Sequence, residues 1–130
     1  MVYADASALV KLAISERGTA ELEQRLRGVQ LVSSALARVE IARAVMRVED
    51  ARPRDPSSVT GLAALLPIDE SILRRAALLQ PSALRSLDAI HLATALTIAG
   101  DIDAFITYDR QLGRAAEAAG FAVESPGAPV

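Results

Sequence analysis

Short apolar runs alternate along this chain with stretches of helical period, and the alternation predicts the order of its elements. Val2-Tyr3-Ala4 is apolar and stops at Asp5, and Ser7 to Ile14 follows with the spacing of a helix, so the chain opens strand then helix. A second helix is predicted from Thr19 to Leu26, with Leu22 and Leu26 at i, i+4 and Gly28 as its stop. Val29 to Ser33 reads as the next strand. Ser34 to Glu49 reads as a long helix with Val39, Ala42, Val45 and Met46 on its apolar side, broken by the turn-rich stretch Arg52 to Ser58. Ser58 to Leu66 then predicts a short helix, and Leu66-Pro67-Ile68 a short strand whose proline suits a sheet edge. Helices follow from Asp69 to Leu79 and from Ser86 to Ala99, separated by Pro81. The last unit is a strand at Ala104 to Tyr108, a helix from Arg110 to Ala119 ending at Gly120, and a strand at Phe121 to Val123. Strands alternating with helices give an α/β fold in three layers, α/β/α, around a central parallel sheet.

Composition narrows what such a fold can be for. At 130 residues and 52% hydrophobic content, the chain suits one domain, residues 1–130, with a core of its own. The absence of cysteine excludes disulfides, thiolate metal sites and a cysteine nucleophile, and fits a reducing cytoplasm. The most apolar helix, around Leu87 to Ala99, contains Asp88 and His91 and is too short to span a bilayer, and Asp5 falls where a signal peptide would need an apolar core. A soluble, cytoplasmic protein is expected. The net charge of −2 argues against a generic nucleic-acid coat, yet the cations are thirteen Arg and a single Lys. Guanidinium groups hold phosphate bidentately, so an Arg-lined groove around an acidic centre would still hold RNA or DNA; a bias in genome composition gives the same count.

Four acids carry the candidate chemistry. Asp5, Glu40, Asp88 and Asp109 stand where strands hand over to helices or within the opening turns of helices, at separations of 35, 48 and 21 residues that rule out local pairing. In an open parallel sheet, ligands collect beyond the carboxyl ends of the strands. Two carboxylates at about 4 Å repel by roughly 4 kcal/mol at an effective dielectric of about 20, so four gathered at one edge imply a divalent cation and a metal-dependent phosphodiesterase. Each acid also has a plainer account. Asp5 and Asp109 are suitable helix N-caps, and Asp88 suits the dipole of a first turn. Glu40, about two turns into its expected helix, could pair on the surface with Arg43 and Arg47. Asp101 and Asp103 precede the last acidic strand, roughly 15–20 Å from Asp109, and are set aside. His91, the chain's one histidine, is expected to pack or hydrogen-bond near the site. Tyr3 and Tyr108 read as core strand residues, with too few aromatics elsewhere for a base-stacking platform.

The segments Tyr3-Ala4-Asp5-Ala6-Ser7-Ala8-Leu9, Ser33 to Glu40, Leu87-Asp88-Ala89-Ile90-His91-Leu92-Ala93-Thr94-Ala95 and Ile106-Thr107-Tyr108-Asp109 together resemble the PIN-domain nucleases, specifically the VapC-type toxins of bacterial toxin–antitoxin systems. The resemblance spans nearly the whole chain, Leu87 to Ala95 is its most specific piece, and the helix Gln111 to Ala119 with Gly120-Phe121-Ala122-Val123 matches the family's ending. It implies a PIN-like fold in which Asp5, Glu40, Asp88 and Asp109 form a metal-binding catalytic quartet, with Ser7 and Thr107 as supporting hydroxyls that orient carboxylates or water. Asp5 with Asp109, or Asp5 with Asp88, would be direct ligands, and Glu40 would serve a second ion or position water. The implied activity is endoribonucleolytic, dependent on Mg²⁺ or Mn²⁺ and needing no side-chain nucleophile. The implied partners are an RNA substrate, a VapB-type antitoxin that lays a segment across the site and inserts an Arg, and a second copy in a homodimer. The connector Ala51 to Val59 is short and rich in Arg and Pro, so a substrate preference does not carry over.

Two other readings stand beside this one. A phosphatase using Asp5 as nucleophile would want a second Asp where Ser7 lies and a late Lys, whereas Lys11 is in the first helix. A catalytically silent PIN-like module that only binds RNA or protein would show itself by a missing acid, and all four are present.

Overall fold

Alternation within the short strands decides which face of the sheet each helix covers. A computed structural model describes residues 1–48 and 53–129. In β1 (Val2–Ala4), Val2 and Ala4 join one core cluster, while Tyr3 joins a second on the opposite face. The same division separates Leu31 from Val32 in β2 (Leu31–Ser34), and Ala104 and Ile106 from Phe105 in β4 (Ala104–Ile106). The first face is covered by α1 (Ala6–Ala13), α2 (Thr19–Leu26), α3 (Ala37–Met46) and α4 (Pro56–Thr60), through Leu9, Leu22, Ile41 and Val59. The second is covered by α6 (Ser86–Leu96) and α7 (Arg110–Ala118), through Leu92 and Leu112, with α5 (Glu70–Leu78) packed on α6. With β3 (Ala63–Leu66) and β5 (Val123–Glu124), the sheet runs β3-β2-β1-β4-β5 and every pairing is parallel. This is the expected three-layer α/β/α fold. No helix among the described residues is long and apolar enough to cross a membrane.

Several expected boundaries move, each for a local reason. The long helix starts at Ala37 rather than Ser34, because Ser34 completes β2, its hydroxyl accepts the Leu36 N–H at 3.1 Å and the Ala35 N–H pairs with Leu66 O at 2.8 Å. Glu49, its expected end, lies outside the described residues, as do Ala51 and Arg52 of the connector. The later start places Glu40 in the first turn, not two turns in. It also changes the face: Ile41 is fully buried while Val39 and Met46 are 58% and 77% exposed, contrary to the expected apolar side.

The region 58–68 differs most. Asp55 caps Pro56–Thr60 as a helix, and the next four residues, Ala63–Leu66, pair with β2 as a strand. Alanine and leucine favour helix, but the open edge of β2 satisfies their backbone groups and overrides that preference. Pro67 lies after the strand rather than in it, although the strand is an edge as expected. The α6 helix stops at Leu96, followed by a 3-10 turn at Ala99–Asp101, and β5 begins two residues later than expected. Tyr108 follows β4 instead of belonging to it.

The corrected phase of α3 gives a direct expectation. Ile41→Ala should cost about 2–5 kcal/mol, as for other buried aliphatic truncations, whereas Met46→Ala should fall within about 0.5 kcal/mol of the parent. Urea unfolding midpoints at constant slope measure both.

Candidate active site

The register Ala4↔Ile106 sets the residues that follow β1 and β4 side by side, and Asp5 N–H donates to Ile106 O at 3.2 Å. Asp5 is buried, and both its oxygens accept from protein donors. Its Oδ1 accepts from Ser7 Oγ at 2.7 Å and from the Ala8 N–H at 3.1 Å, which caps α1, and its Oδ2 accepts from Thr107 Oγ1 at 2.7 Å. Ser7 Oγ in turn accepts the Tyr108 N–H at 2.9 Å, and Thr107 Oγ1 accepts the Asp109 N–H at 3.1 Å. The two hydroxyls therefore orient the Asp5 carboxylate from both sides.

Asp109 caps α7 by accepting the Leu112 N–H on Oδ1 at 2.9 Å and turns Oδ2 to Arg85 Nη2, also at 2.9 Å. The same guanidinium stands 3.6 Å from Asp88 Oδ2, close enough to attract and too far to hydrogen-bond. Asp88 Oδ2 is accordingly a buried oxygen with no hydrogen-bond partner. Burial pushes the Asp88 carboxyl up from its ordinary pKa, and the charge of Asp109 pushes further, against the pull of Arg85. Burial also raises Asp5, opposed by His91 and by hydrogen bonds from Ser7, Thr107 and Ala8. Asp5, Asp88 and Asp109, from three separate elements, thus share one electrostatic neighbourhood.

Glu40 reaches the site differently. Its Oε1 lies 2.7 Å from Nε2 of the buried His91, and among the described residues it forms no ion pair with Arg43 or Arg47. The surface pairing that its spacing allowed is replaced by an anchor in the core. Glu40, Ser7, Lys11, Arg43, Arg47 and Leu87 line a groove of about 640 Å³. Asp103, set aside from sequence, pairs with the N-terminal ammonium at 2.7 Å, away from the quartet. Tyr3 is core as expected, but Tyr108 is only partly buried: its hydroxyl donates to Pro126 O at 2.6 Å and its ring carries Lys11 Nζ at 4.4 Å.

Sequence reasoning missed Arg85, although its place three residues before Asp88 on a helix start was a usable signal. Among the described residues no three Asp, Glu or His side chains already converge on a point that could hold a metal ion, because Arg85, His91, Ser7 and Thr107 engage them. The donor set still suits a hard divalent cation: all oxygen, with one buried carboxylate oxygen lacking any donor.

The pattern of the PIN domain family matches residues 2–118. The chain belongs to that family. Within it the relatives are of VapC type. Ribonuclease VapC47 of Mycobacterium tuberculosis is 41% identical over 98% of each chain, and Ribonuclease VapC46 of the same organism is 42% identical over 96% of this chain and 97% of its own. Ribonuclease VapC35, also from Mycobacterium tuberculosis, is 42% identical over 98% of both. This PIN domain, then, is of VapC type along essentially its full length.

The raised carboxyls generate a pH dependence. An acid whose folded pKa exceeds its unfolded one holds its proton more tightly when folded, so protonating it favours the fold. Without metal, Asp5 should therefore destabilise the protein above its folded pKa, and this destabilisation should fade as pH falls to the ordinary carboxylate range. Asp5→Asn keeps a good cap and removes the charge. Its metal-free Tm should equal or exceed the parent's at pH 7, with the difference vanishing on acidification; thermal melts from pH 7 to pH 4 decide it.

Proposed function

We propose that the chain is a divalent-metal-dependent endoribonuclease, the toxin of a toxin–antitoxin pair, working as a single domain in the cytoplasm. The observation that carries this reading is the unpartnered, buried Oδ2 of Asp88 beside Asp109 and Asp5. Three acids from separate parts of the chain are held where their charges oppose one another, a repulsion that works against folding and that a cation relieves. The names of the relatives, all ribonucleases, supply the reaction class.

Asp5, Asp88 and Asp109 would hold Mg²⁺ or Mn²⁺, and Glu40 a second ion or a water. The bound metal would supply an activated water and countercharge for the phosphoryl oxygens. The chain's own residues do the rest. Ser7 and Thr107 fix both oxygens of Asp5, so that it is presented in one orientation. Arg85 supplies the positive charge that lets Asp88 and Asp109 approach each other in the absence of metal. Arg43 and Arg47 line the groove beside Glu40 and suit an RNA backbone, while Lys11 on the same groove is held by Glu16 and the Arg17 carbonyl. Leu87 and Val39 leave exposed apolar surface on the same groove, which suits a VapB-type antitoxin or the second protomer of a homodimer.

The phosphatase reading gains nothing here, since Ser7, where it would want a second Asp, is spent on orienting Asp5. A silent binding module would not need four intact acids.

Purified protein should cut RNA with Mg²⁺ or Mn²⁺ and stop on chelation, leaving 3′-hydroxyl and 5′-phosphate ends, because water and not the ribose 2′-hydroxyl attacks. Asp88→Asn should lower kcat by about 100-fold or more, beyond the 10–100-fold typical of groups acting through a ligand. Products ending in a 2′,3′-cyclic phosphate would exclude the mechanism, and a parent inert with either metal would favour the silent module. In cells, the parent alone should arrest growth, with Asp5→Ala relieving the arrest; equal arrest by both would speak against an enzymatic cause.

A further inference from the structure

Glu40 is tied to the core by two hydrogen bonds in series that the ribonuclease reading leaves unused. The Tyr3 hydroxyl lies 2.8 Å from His91 Nδ1, and His91 Nε2 lies 2.7 Å from Glu40 Oε1. Both rings are sealed from solvent, at 0% and 1% exposure, whereas the Glu40 side chain is 20% exposed and lines the groove. The chain of bonds therefore starts in the protein interior and ends at the site.

For a neutral ring, its direction follows from donor chemistry. A carboxylate only accepts, so Nε2 must carry the hydrogen. In a neutral imidazole Nδ1 is then a bare acceptor, and the Tyr3 hydroxyl must donate to it. Tyr3 is suited to that role, since an ordinary phenol keeps its proton at neutral pH. Its ring cannot turn away, being stacked on Phe105 at 5.1 Å and 21° and meeting His91 edge-on at 6.0 Å and 77°.

We propose that Tyr3 and His91 are positioning residues: together they fix one oxygen of Glu40 and leave the other to the groove, setting the geometry in which Glu40 acts. His91 in this role is more than a satisfied core histidine, because its far nitrogen is spent on a functional acid carried by a different helix, α3. The kinetic consequence rests on the ribonuclease reading; the hydrogen-bond direction does not.

Side-chain reach gives the discriminating variants. The amide of His91→Gln reaches the Nε2 position and donates to Glu40, whereas that of His91→Asn reaches only the Nδ1 position and keeps Tyr3. Both delete the ring, so a packing role predicts equal losses. The full-length protein with Mg²⁺ and an RNA substrate should show kcat reduced about 10–100-fold in His91→Asn, the range for groups that orient a ligand, with KM near the parent's and most of kcat restored in His91→Gln. Equal kcat in the two folded variants overturns the proposal. Should His91→Asn not fold, Tyr3→Phe removes only the hydroxyl and should lower kcat while Glu40 keeps the hydrogen on Nε2; a parental kcat in this variant overturns the proposal as well.

The chain's single histidine also allows a readout without activity. Imidazole ¹⁵N spectra of the metal-free parent should show Nε2 protonated and Nδ1 bare, and a ring with hydrogen on Nδ1, alone or together with Nε2, refutes the proposal. If the parent cuts no RNA, the ribonuclease reading fails, and the spectrum still decides whether Glu40 is held in this way.

Discussion

The buried carboxylate of Asp5 is the constraint on which the rest of the molecule depends. An unpaired ion in a protein interior costs several kcal/mol even after relaxation, so its survival requires donors on every side. They come from α1 through Ser7 and Ala8, and from the end of β4 through Thr107. These contacts fix how β1 and β4 end relative to each other. Because β1 is the middle strand, with β2 and β4 on either side, the end of β1 sets the position of the whole sheet edge. The same hydroxyls pass the order on, Ser7 to the Tyr108 N–H and Thr107 to the Asp109 N–H, so that the start of α7 is placed by the acid at the start of α1.

Charge at this edge is balanced unevenly. Asp5 is satisfied by neutral donors, Asp109 by a helix N-terminus and Arg85, and Glu40 by His91, whereas Asp88 retains a buried oxygen with only the distant attraction of Arg85. In a protein interior polar atoms are almost always hydrogen-bonded, so the exception marks where the fold has not been optimised for stability. Glu40 shares its groove with Lys11, Arg43 and Arg47.

Much of this was legible in the sequence. The strand–helix alternation, the parallel three-layer fold and the places of Asp5 and Asp109 followed from apolar runs that stop at an acid, a signal that tertiary contacts reinforce. The failures share a cause. Ala63–Leu66 has helical composition but lies beside the unpaired edge of β2, and Val39 and Met46 look like core but stand on the outer side of a helix that starts three residues late. Both outcomes are decided by partners remote in sequence. Glu40 is the clearest case: its spacing from Arg43 and Arg47 is that of a surface pair, and only the fold brings His91 to it across 51 residues. The family resemblance named Glu40 as a site residue, but the physical reason for its orientation was not in the local sequence.

Capping accounts for one oxygen of Asp5 and one of Asp109 and leaves the other to be explained. A helix cap needs one carboxylate oxygen: Asp5 uses Oδ1 for the Ala8 N–H and Asp109 uses Oδ1 for the Leu112 N–H. In each the second oxygen is engaged elsewhere, Asp5 Oδ2 by Thr107 and Asp109 Oδ2 by Arg85. The cap fixes the rotamer at its helix start, and a fixed rotamer is what a ligand requires. Asn in either place would keep the cap and give up the charge of the second oxygen. Helix capping at the carboxyl edge of the parallel sheet therefore fixes the orientation of Asp5 and Asp109, and the stability gained there offsets part of what the repulsion among the acids costs.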